Sequence, residues 1–508
     1  MKQLYAPIYE ALMKHAKVNP ISFHVPGHQN GKAWEEISLP LHLFDDMKNR
    51  FASIMEIDLT ELSSTDDLHH PEASINDAQS LAARCFGADE TYFLVGGSTS
   101  GNLAMLLAVC DPGDIVIVQR NVHKSVINGL RMAGASAVFL SPQVDSRTGL
   151  ADVPSVIQVK EALERYPDAK AVFLSNPNYY GIGMELTKYV EVVHRYGIPL
   201  LVDEAHGAHY GQHPELPRSA MMAGADAAVQ STHKTLPALT MGAMLHVRGD
   251  LIDRERLKQA LAMVQSSSPS FPLLASLDIS RAMIDSLKDL LFQQALEHAR
   301  SFRMWLKESG LMIGAIEAEK IEIDSWSGVR QSDPLRMVLY DQTGSLSGHQ
   351  LHKLLEEQGC WAEMSDPVYV VLLIGIGTRH EHIERLKSAI MNVHAERLGM
   401  GQDLTTDVRT VHRNPSNGVE DELGEPIVFG GGWFSKQASM RVPLHEAIGY
   451  RAAEMVVPYP PGIPLLYQGE KITAGVVARL ERLAAAGAKF QGAQDSRMAT
   501  IAVYNDRS

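Results

Sequence analysis

The stretch Leu200-Leu201-Val202-Asp203-Glu204-Ala205-His206-Gly207 decides the fold. An unbroken apolar run, closed by an acid and then by small residues, reads as a short strand buried on both faces with Asp203 at its carboxyl tip. The same shape recurs on either side of it. Toward the C-terminus lie DAAVQSTHK (226–234) and GAMLHV (242–247). Toward the N-terminus lie KAVFLS (170–175), AVFL (137–140), DIVIVQ (114–119) and TYFLV (91–95), with amphipathic stretches such as NLAMLLAV and HKSVINGLRMAG between them. Strands alternating with helices at this pitch predict an α/β domain over residues 61–300, a mainly parallel sheet covered on both faces, preceded by an N-terminal segment 1–60. A smaller α/β domain is expected over 301–400, from RMVLYD (336–341), the helical SGHQLHKLLEEQG, CWAEMS, VYVVLLIG and an amphipathic helix near 379–398. Residues 401–508 read as an irregular linker around 405–432 and a terminal piece, with a helix near 443–454 and the Pro-rich VVPYPPGIP loop.

Composition bounds the partners. The 508 residues carry a net charge of −14, with 45% hydrophobic and 21% charged residues. That is the balance of a globular chain without the basic footprint of a nucleic-acid or anionic-membrane binder. Cys85, Cys110 and Cys360 are odd in number, far apart and without CxxC spacing, so neither a disulfide framework nor a zinc site follows. The opening MKQLYAPIYEALMKHAK lacks the apolar core of a signal peptide. The longest apolar run, Val368 to Ile376, falls short of the roughly 20 residues a bilayer span needs. A soluble, cytoplasmic protein is expected. His69-His70 and the pair His206 and His209 lack a third ligand at suitable spacing, so no metal is expected. Trp361 and Trp433 read as packing residues.

Three loops lie just beyond strand ends, where open parallel sheets hold their ligands. Gly96-Gly97-Ser98-Thr99-Ser100-Gly101 stands between a strand and a helix start. Glycines let backbone approach an anion, the free N–H groups of the first turn point at it, and Ser98, Thr99 and Ser100 add hydroxyls. The run is a phosphate cup or a plain Gly/Ser helix start, and matches neither the dinucleotide nor the Walker pattern. Asp203 needs a partner if buried. A protonated pyridine nitrogen is one such partner, and a helix N-cap role is the other reading. In Ser231-Thr232-His233-Lys234, a lysine beside a strand end can form a Schiff base with an aldehyde cofactor. Ser231 and His233 are then placed for its phosphate, and a solvated surface lysine is the alternative. Cup, acid and lysine in this chain order resemble the aminotransferase-like (fold-type I) enzymes of pyridoxal 5'-phosphate.

Longer motifs narrow the likeness. Phe23-His24-Val25-Pro26-Gly27-His28, DDLHHP (66–71), Arg120-Asn121-Val122-His123-Lys124-Ser125, VDEAHGAH, STHKTLPALT, SSSPSFPLLASLD (266–278) and YPPGIPLLYQGE (459–470) follow one another in order. Together they resemble the Orn/Lys/Arg decarboxylase family from about residue 20 to residue 470. The resemblance implies decarboxylation of a basic amino acid to the amine and CO2. No spacing resolves which one, and the expected order is arginine, then lysine, then ornithine. The resemblance also implies that Lys234 carries the cofactor as an imine, that Asp203 pairs with the pyridine nitrogen and that His123 stacks on the ring. Ser98, Thr99, Ser231 and His233 fall at phosphate-binding positions, Ala205 and His206 beside the imine, and Glu363 at a position tied to substrate recognition. The serines 266–268 resemble a segment that reaches the phosphate of a neighbouring subunit, so a homodimer or larger homo-oligomer is expected. Asp58, Glu61 and Asp66 are further acids that could face a substrate cation.

Two departures matter. The chain reaches the PGH motif at Pro26, which resembles the short Gram-positive-type members and does not imply their larger relatives' ring assemblies. Many members have Gln where this chain has Met241, which bears on substrate choice rather than on the cofactor loops. Another fold-type I enzyme (an aminotransferase or a lyase) and a catalytically silent regulator that keeps the fold are the rival readings.

Overall fold

The computed structural model describes residues 4–35, 42–145, 147–317, 321–324, 328–399, 423–429, 438–459, 464–485 and 488–507. Most of the expected linker, Trp433 and residues 460–463 of the Pro-rich loop lie outside the described residues. In chain order the first strands are β1 (Glu90–Leu94), β2 (Ile115–Gln119), β3 (Ser136–Leu140), β4 (Ala171–Ser175), β5 (Ile182–Met184), β6 (Leu200–Asp203), β7 (Ala227–Gln230) and β8 (Ala243–Val247). They continue with β9 (Ile313–Ala315), β10 (Ile321–Asp324), β11 (Gly328–Ser332), β12 (Arg336–Asp341), β13 (Met364–Ser365), β14 (Tyr369–Leu373) and β15 (Ile427–Val428). The last are β16 (Ser439–Pro443), β17 (Tyr450–Ala452), β18 (Val457–Tyr459), β19 (Lys489–Gln491) and β20 (Thr500–Arg507). The chain divides into two compact units, one of Met1–Val109, Glu185–Val190 and Pro199–Ala295, the other of the remaining residues.

In the first unit the strands lie in the order β1-β8-β7-β6. β6 and β7 run parallel, and every residue of β6, β7 and β8 is buried, as their unbroken apolar runs require. β8 is antiparallel to both β7 and β1, a departure from the parallel expectation. The β7–β8 connection holds only the four-residue helix Thr232–Thr235, too little for the helical crossover a parallel neighbour needs. Lys234 rides on that connection. The helix Gly97–Val109 rests directly on the sheet. A Cβ added at Gly101 would come 2.5 Å from Val229 Cγ2 and 2.9 Å from Leu94 Cδ1, so only glycine permits this approach. The helix Pro7–Lys17 is tied down by a buried ion pair: Asp278 Oδ2 accepts the Ile8 N–H at 2.9 Å and Arg281 donates to the Tyr5 carbonyl at 2.7 Å.

In the second unit β2, β3 and β4 run parallel, with β15 antiparallel at the outer edge of β3. A separate antiparallel sheet has the order β13-β14-β12-β9. The helix Gly348–Glu357 starts on a capping box of Ser347 and Gln350. His380–Gly399 is the expected amphipathic helix. The stretch 443–454 is not helical. It holds a single 3-10 turn (Leu444–Glu446) and then β17, because Pro443 closes one strand and Gly449, at φ 88°, turns the chain into the next. Leu444, Ala452, Val456, Leu466, Leu480, Phe490, Ile501 and their neighbours form a local core there. Trp361 is 78% exposed and is not a packing residue within this chain. Among the described residues no helix is long and apolar enough to cross a membrane.

Candidate active site

The first unit gathers nine of the residues singled out by sequence. Asp203 closes β6 and is buried. Its Oδ2 accepts from Asn102 Nδ2 at 2.8 Å and its Oδ1 from the Ala205 N–H at 3.1 Å. Asn102 sits on the helix whose first turn carries Ser98, Thr99 and Ser100, so one helix supports both the acid and the cup. The cup closes against β7: the Ser231 hydroxyl donates to Ser98 Oγ at 2.9 Å. Gly97, at φ 71°, lets the chain turn into the helix there. Thr99 is exposed. Ser100 turns its hydroxyl to the Gly97 carbonyl at 2.8 Å.

Lys234 is half-buried, with Nζ 3.0 Å from His206 Nε2. His206 and Ala205 follow Asp203 in the turn after β6, so the two strand ends bring their functional groups together without a long loop. The ring of His233 bonds through Nδ1 to the Gly242 carbonyl at 2.9 Å. A carbonyl only accepts, so the proton is on Nδ1.

Glu204 and its partners carried no signal of their own in the sequence. Glu204 is fully buried, accepting from the Ala220 N–H at 2.8 Å and from Gln230 Nε2 at 2.7 Å. Burial pushes its carboxyl up to about 8, against the pull of those two hydrogen bonds. The row continues: His246 Nε2 lies 3.1 Å from Gln230 Oε1, and His246 Nδ1 lies 2.8 Å from Thr91 Oγ1. Burial drives His246 down to about 3, so its ring is neutral. Since Gln230 donates to Glu204, its Oε1 must accept from His246 Nε2–H, and the Thr91 hydroxyl donates to Nδ1. This row ties the β6 end, beside Asp203, to the β7 end, beside Ser231.

Asp58, Glu61, Asp66, Ser266 and Ser268 have local structural partners. Asp66 accepts four backbone N–H groups, from Asp67, Glu72, Ala73 and Ile75, and so organises its own turn. Asp58 faces His28 Nε2 at 3.2 Å, and Glu61 accepts from Thr60 at 2.6 Å. Ser266 and Ser268 are exposed and bonded to each other, with His69 Nε2 at 3.0 Å from the Ser266 carbonyl. Met241 is exposed and left-handed at φ 74°.

His123 and Glu363 belong to the second unit. His123 caps the helix Lys124–Ala133. Its Nδ1 accepts the Ser125 N–H at 3.3 Å and lies 2.8 Å from Ser125 Oγ. An N–H can only donate, so Nδ1 is unprotonated and the neutral ring carries its proton on Nε2. Glu363 is exposed just before β13, its N–H bonded to the Val371 carbonyl at 2.9 Å.

The family described as Orn/Lys/Arg decarboxylase, major domain, matches residues 6–382, and Orn/Lys/Arg decarboxylase, C-terminal domain, matches residues 433–496. The chain is 39% identical over 503 residues to the uncharacterized protein YaaO of Bacillus subtilis (strain 168), covering 98% of each. It is 34% identical over 510 residues to an arginine decarboxylase of the same organism, covering 100% of this chain and 99% of the relative. Lysine decarboxylase A from Pseudomonas aeruginosa shares the fold at a TM-score of 0.81 and 22% identity, over 99% of this chain and 81% of that one. The chain therefore belongs to the Orn/Lys/Arg decarboxylase family.

Proposed function

We propose that this protein removes the α-carboxylate of a basic amino acid with pyridoxal 5'-phosphate held at Lys234, arginine being preferred over lysine and ornithine. The observation that carries the reading is the convergence, at adjacent strand ends of one unit, of a buried acid held by two donors, a hydroxyl pair at a helix start and a lysine bonded to a histidine. That donor set fits the cofactor's three recognition points: a cationic ring nitrogen, a dianionic phosphate and an aldehyde. The arginine preference rests on full-length likeness to an arginine decarboxylase.

Asp203 would face the ring nitrogen, its carboxylate fixed by Asn102 and by the Ala205 N–H. Ser98 and Ser231 would give hydroxyls to the phosphate, joined by the first-turn N–H groups around Thr99 and Ser100. With Nδ1–H directed to Gly242, His233 can donate to a phosphate only as an imidazolium, through Nε2. Lys234 must lose its charge to attach to a carbonyl, and His206 Nε2, at 3.0 Å, is placed to accept that proton. His123 would lie on the ring face, its orientation set by the bonds to Ser125. A cofactor held by these residues would supply the electron sink that cleavage of a Cα–carboxylate bond requires. Lys234 Nζ or His206 Nε2 would return a proton to Cα. Glu363 is the proposed partner of the substrate's distal cation. The protein acts in the cytoplasm as a homodimer or larger homo-oligomer in this reading.

The test is CO2 release and amine product from the cofactor-loaded enzyme given arginine, lysine and ornithine separately. Agmatine, cadaverine or putrescine is the expected product, and Lys234→Ala should abolish it. Full turnover by Lys234→Ala would sink the assignment. A requirement for a keto-acid acceptor without CO2 would favour the aminotransferase reading, and tight cofactor binding with no turnover would favour the silent regulator.

A further inference from the structure

Arg120 follows β2 and stands three residues before His123. Its contacts are unusually many, and nearly all lead to one distant stretch, residues 464–470. Nε donates to the Pro464 carbonyl at 2.8 Å, and Nη2 donates to the Leu465 carbonyl at 2.9 Å and to the two Glu470 oxygens at 2.6 and 2.5 Å. The Arg120 carbonyl accepts from the Tyr467 hydroxyl. The guanidinium carbon lies 5.8 and 5.5 Å from the ring centroids of Phe139 and Tyr467, which stack on each other at 4.2 Å and 17°. Glu470 is held in turn by the Tyr467 N–H, at 2.8 Å. Side chains of the pair are 13% and 20% exposed, so this is a largely desolvated, multiply hydrogen-bonded pair rather than a surface contact.

The other side of the loop is fixed as well. The Arg120 N–H donates to the Leu140 carbonyl at 2.8 Å, Gln119 Nε2 donates to Asn121 Oδ1 at 2.8 Å, and Val122 is buried. Every residue from 119 to 123 therefore has an anchor, and the chain ends on the His123 ring with its tautomer already set. We propose that residues 464–470 are a positioning element for His123, acting through the Arg120–Glu470–Tyr467 clamp. The inference rests on the proposed role of His123 at the cofactor. It gives the C-terminal part of the chain a task in the reaction. Lysine does not reproduce Arg120, since its donors radiate from a single nitrogen whereas the guanidinium reaches Pro464 from Nε and Leu465 and Glu470 from Nη2.

The experiment compares cofactor-loaded wild type with Arg120→Lys, Tyr467→Phe, Glu470→Gln and His123→Ala, and with each clamp variant combined with His123→Ala. The readouts are kcat, KM, the absorption band of the bound cofactor and thermal stability. A loosened His123 should cost roughly 10- to 100-fold in kcat, the scale of a misplacement of about 1 Å, and should shift the cofactor band with KM little changed. In the His123→Ala background the same clamp change should have almost no further effect on kcat, because residues acting through one group are not additive. Equal losses in both backgrounds would make the clamp merely structural and overturn the inference. Normal kcat in all three clamp variants alongside a crippled His123→Ala would also overturn it while leaving the His123 role intact. A fully active His123→Ala would remove both, leaving the Lys234 assignment to its own test. If Arg120→Lys does not fold, Tyr467→Phe, which deletes one hydroxyl and keeps the ring stack, still decides the question.

Discussion

Gly101→Ala is the smallest change that should separate phosphate binding from the rest of the site. The added Cβ would sit 2.5 Å from Val229 Cγ2 and 2.9 Å from Leu94 Cδ1, whereas carbon atoms settle at about 3.5–4.0 Å. A separation of about 1 Å must be made up. Val229 is β-branched, stiff at χ1 and fully buried in β7, so the helix Gly97–Val109 is the part that yields. Overpacking of this kind costs about 1–3 kcal/mol, and alanine in a helix interior returns about 0.5–1 kcal/mol relative to glycine. The net loss of stability is therefore modest, at most about 2.5 kcal/mol. The functional effect is larger, because the helix start carries Ser98. Moving its hydroxyl by about 1 Å takes a hydrogen bond beyond working range. One bond to a charged group is worth about 1.5–3 kcal/mol, which is roughly 10- to 150-fold in Kd. The assay is titration of the apoenzyme with pyridoxal phosphate and, separately, with pyridoxal. Affinity should fall for the first and stay nearly constant for the second. Equal losses for both ligands, or none for either, would refute the argument that this helix start is a phosphate cup.

Three further outcomes follow from buried or strained groups. Asp278→Ala leaves Arg281, 2% exposed, as an uncompensated buried charge, and should destabilise the protein by about 3–5 kcal/mol in urea unfolding; a loss under about 1 kcal/mol would mean the pair is hydrated. Glu204 binds its proton more tightly in the folded protein than in the unfolded chain, with a folded value of about 8. Its contribution to stability is full below the usual carboxylate range and is lost as pH rises toward and through 8. Glu204→Gln should therefore flatten the fall in stability between about pH 5 and 8 in pH-resolved denaturation, and an unchanged slope would show that another group sets it. Met241→Asn should stabilise by about 1 kcal/mol in thermal unfolding by relieving a left-handed backbone at an exposed site; no gain would mean the methionine is not strained there.

What was legible in the sequence followed from local pattern. β2, β3, β4, β6 and β7 are runs of apolar residues buried on both faces, and each appears within a residue or two of its expected place. The strand-end placement of Asp203, Ser231 and Lys234 was legible because each closes or closely follows an apolar run. The direction of β8 was not, since it depends on the connection carrying a short helix rather than a crossover. The stretch 443–454 has the composition of a helix but a proline and a left-handed glycine break it. Trp361 read as a packing residue, and nothing in its immediate neighbours, Cys360 and Ala362, reports that it is exposed in this chain. Asn102 and Asp203, and Arg120 and Glu470, meet only in three dimensions. No spacing rule connects partners that lie 101 or 350 residues apart.

The row Thr91–His246–Gln230–Glu204 has a direction. Thr91 gives its proton to His246, His246 gives to Gln230, and Gln230 gives to Glu204, so three bond dipoles point the same way across four strands. Reversing one member would turn its neighbour into a donor facing a donor or an acceptor facing an acceptor, at positions that are all buried. Gln230→Glu, for instance, removes the donor to Glu204 and sets two acids side by side. Variation along this row should therefore be inherited in compatible sets, each preserving the polarity of the whole, even at Thr91, which lies on a strand that carries none of the proposed chemistry.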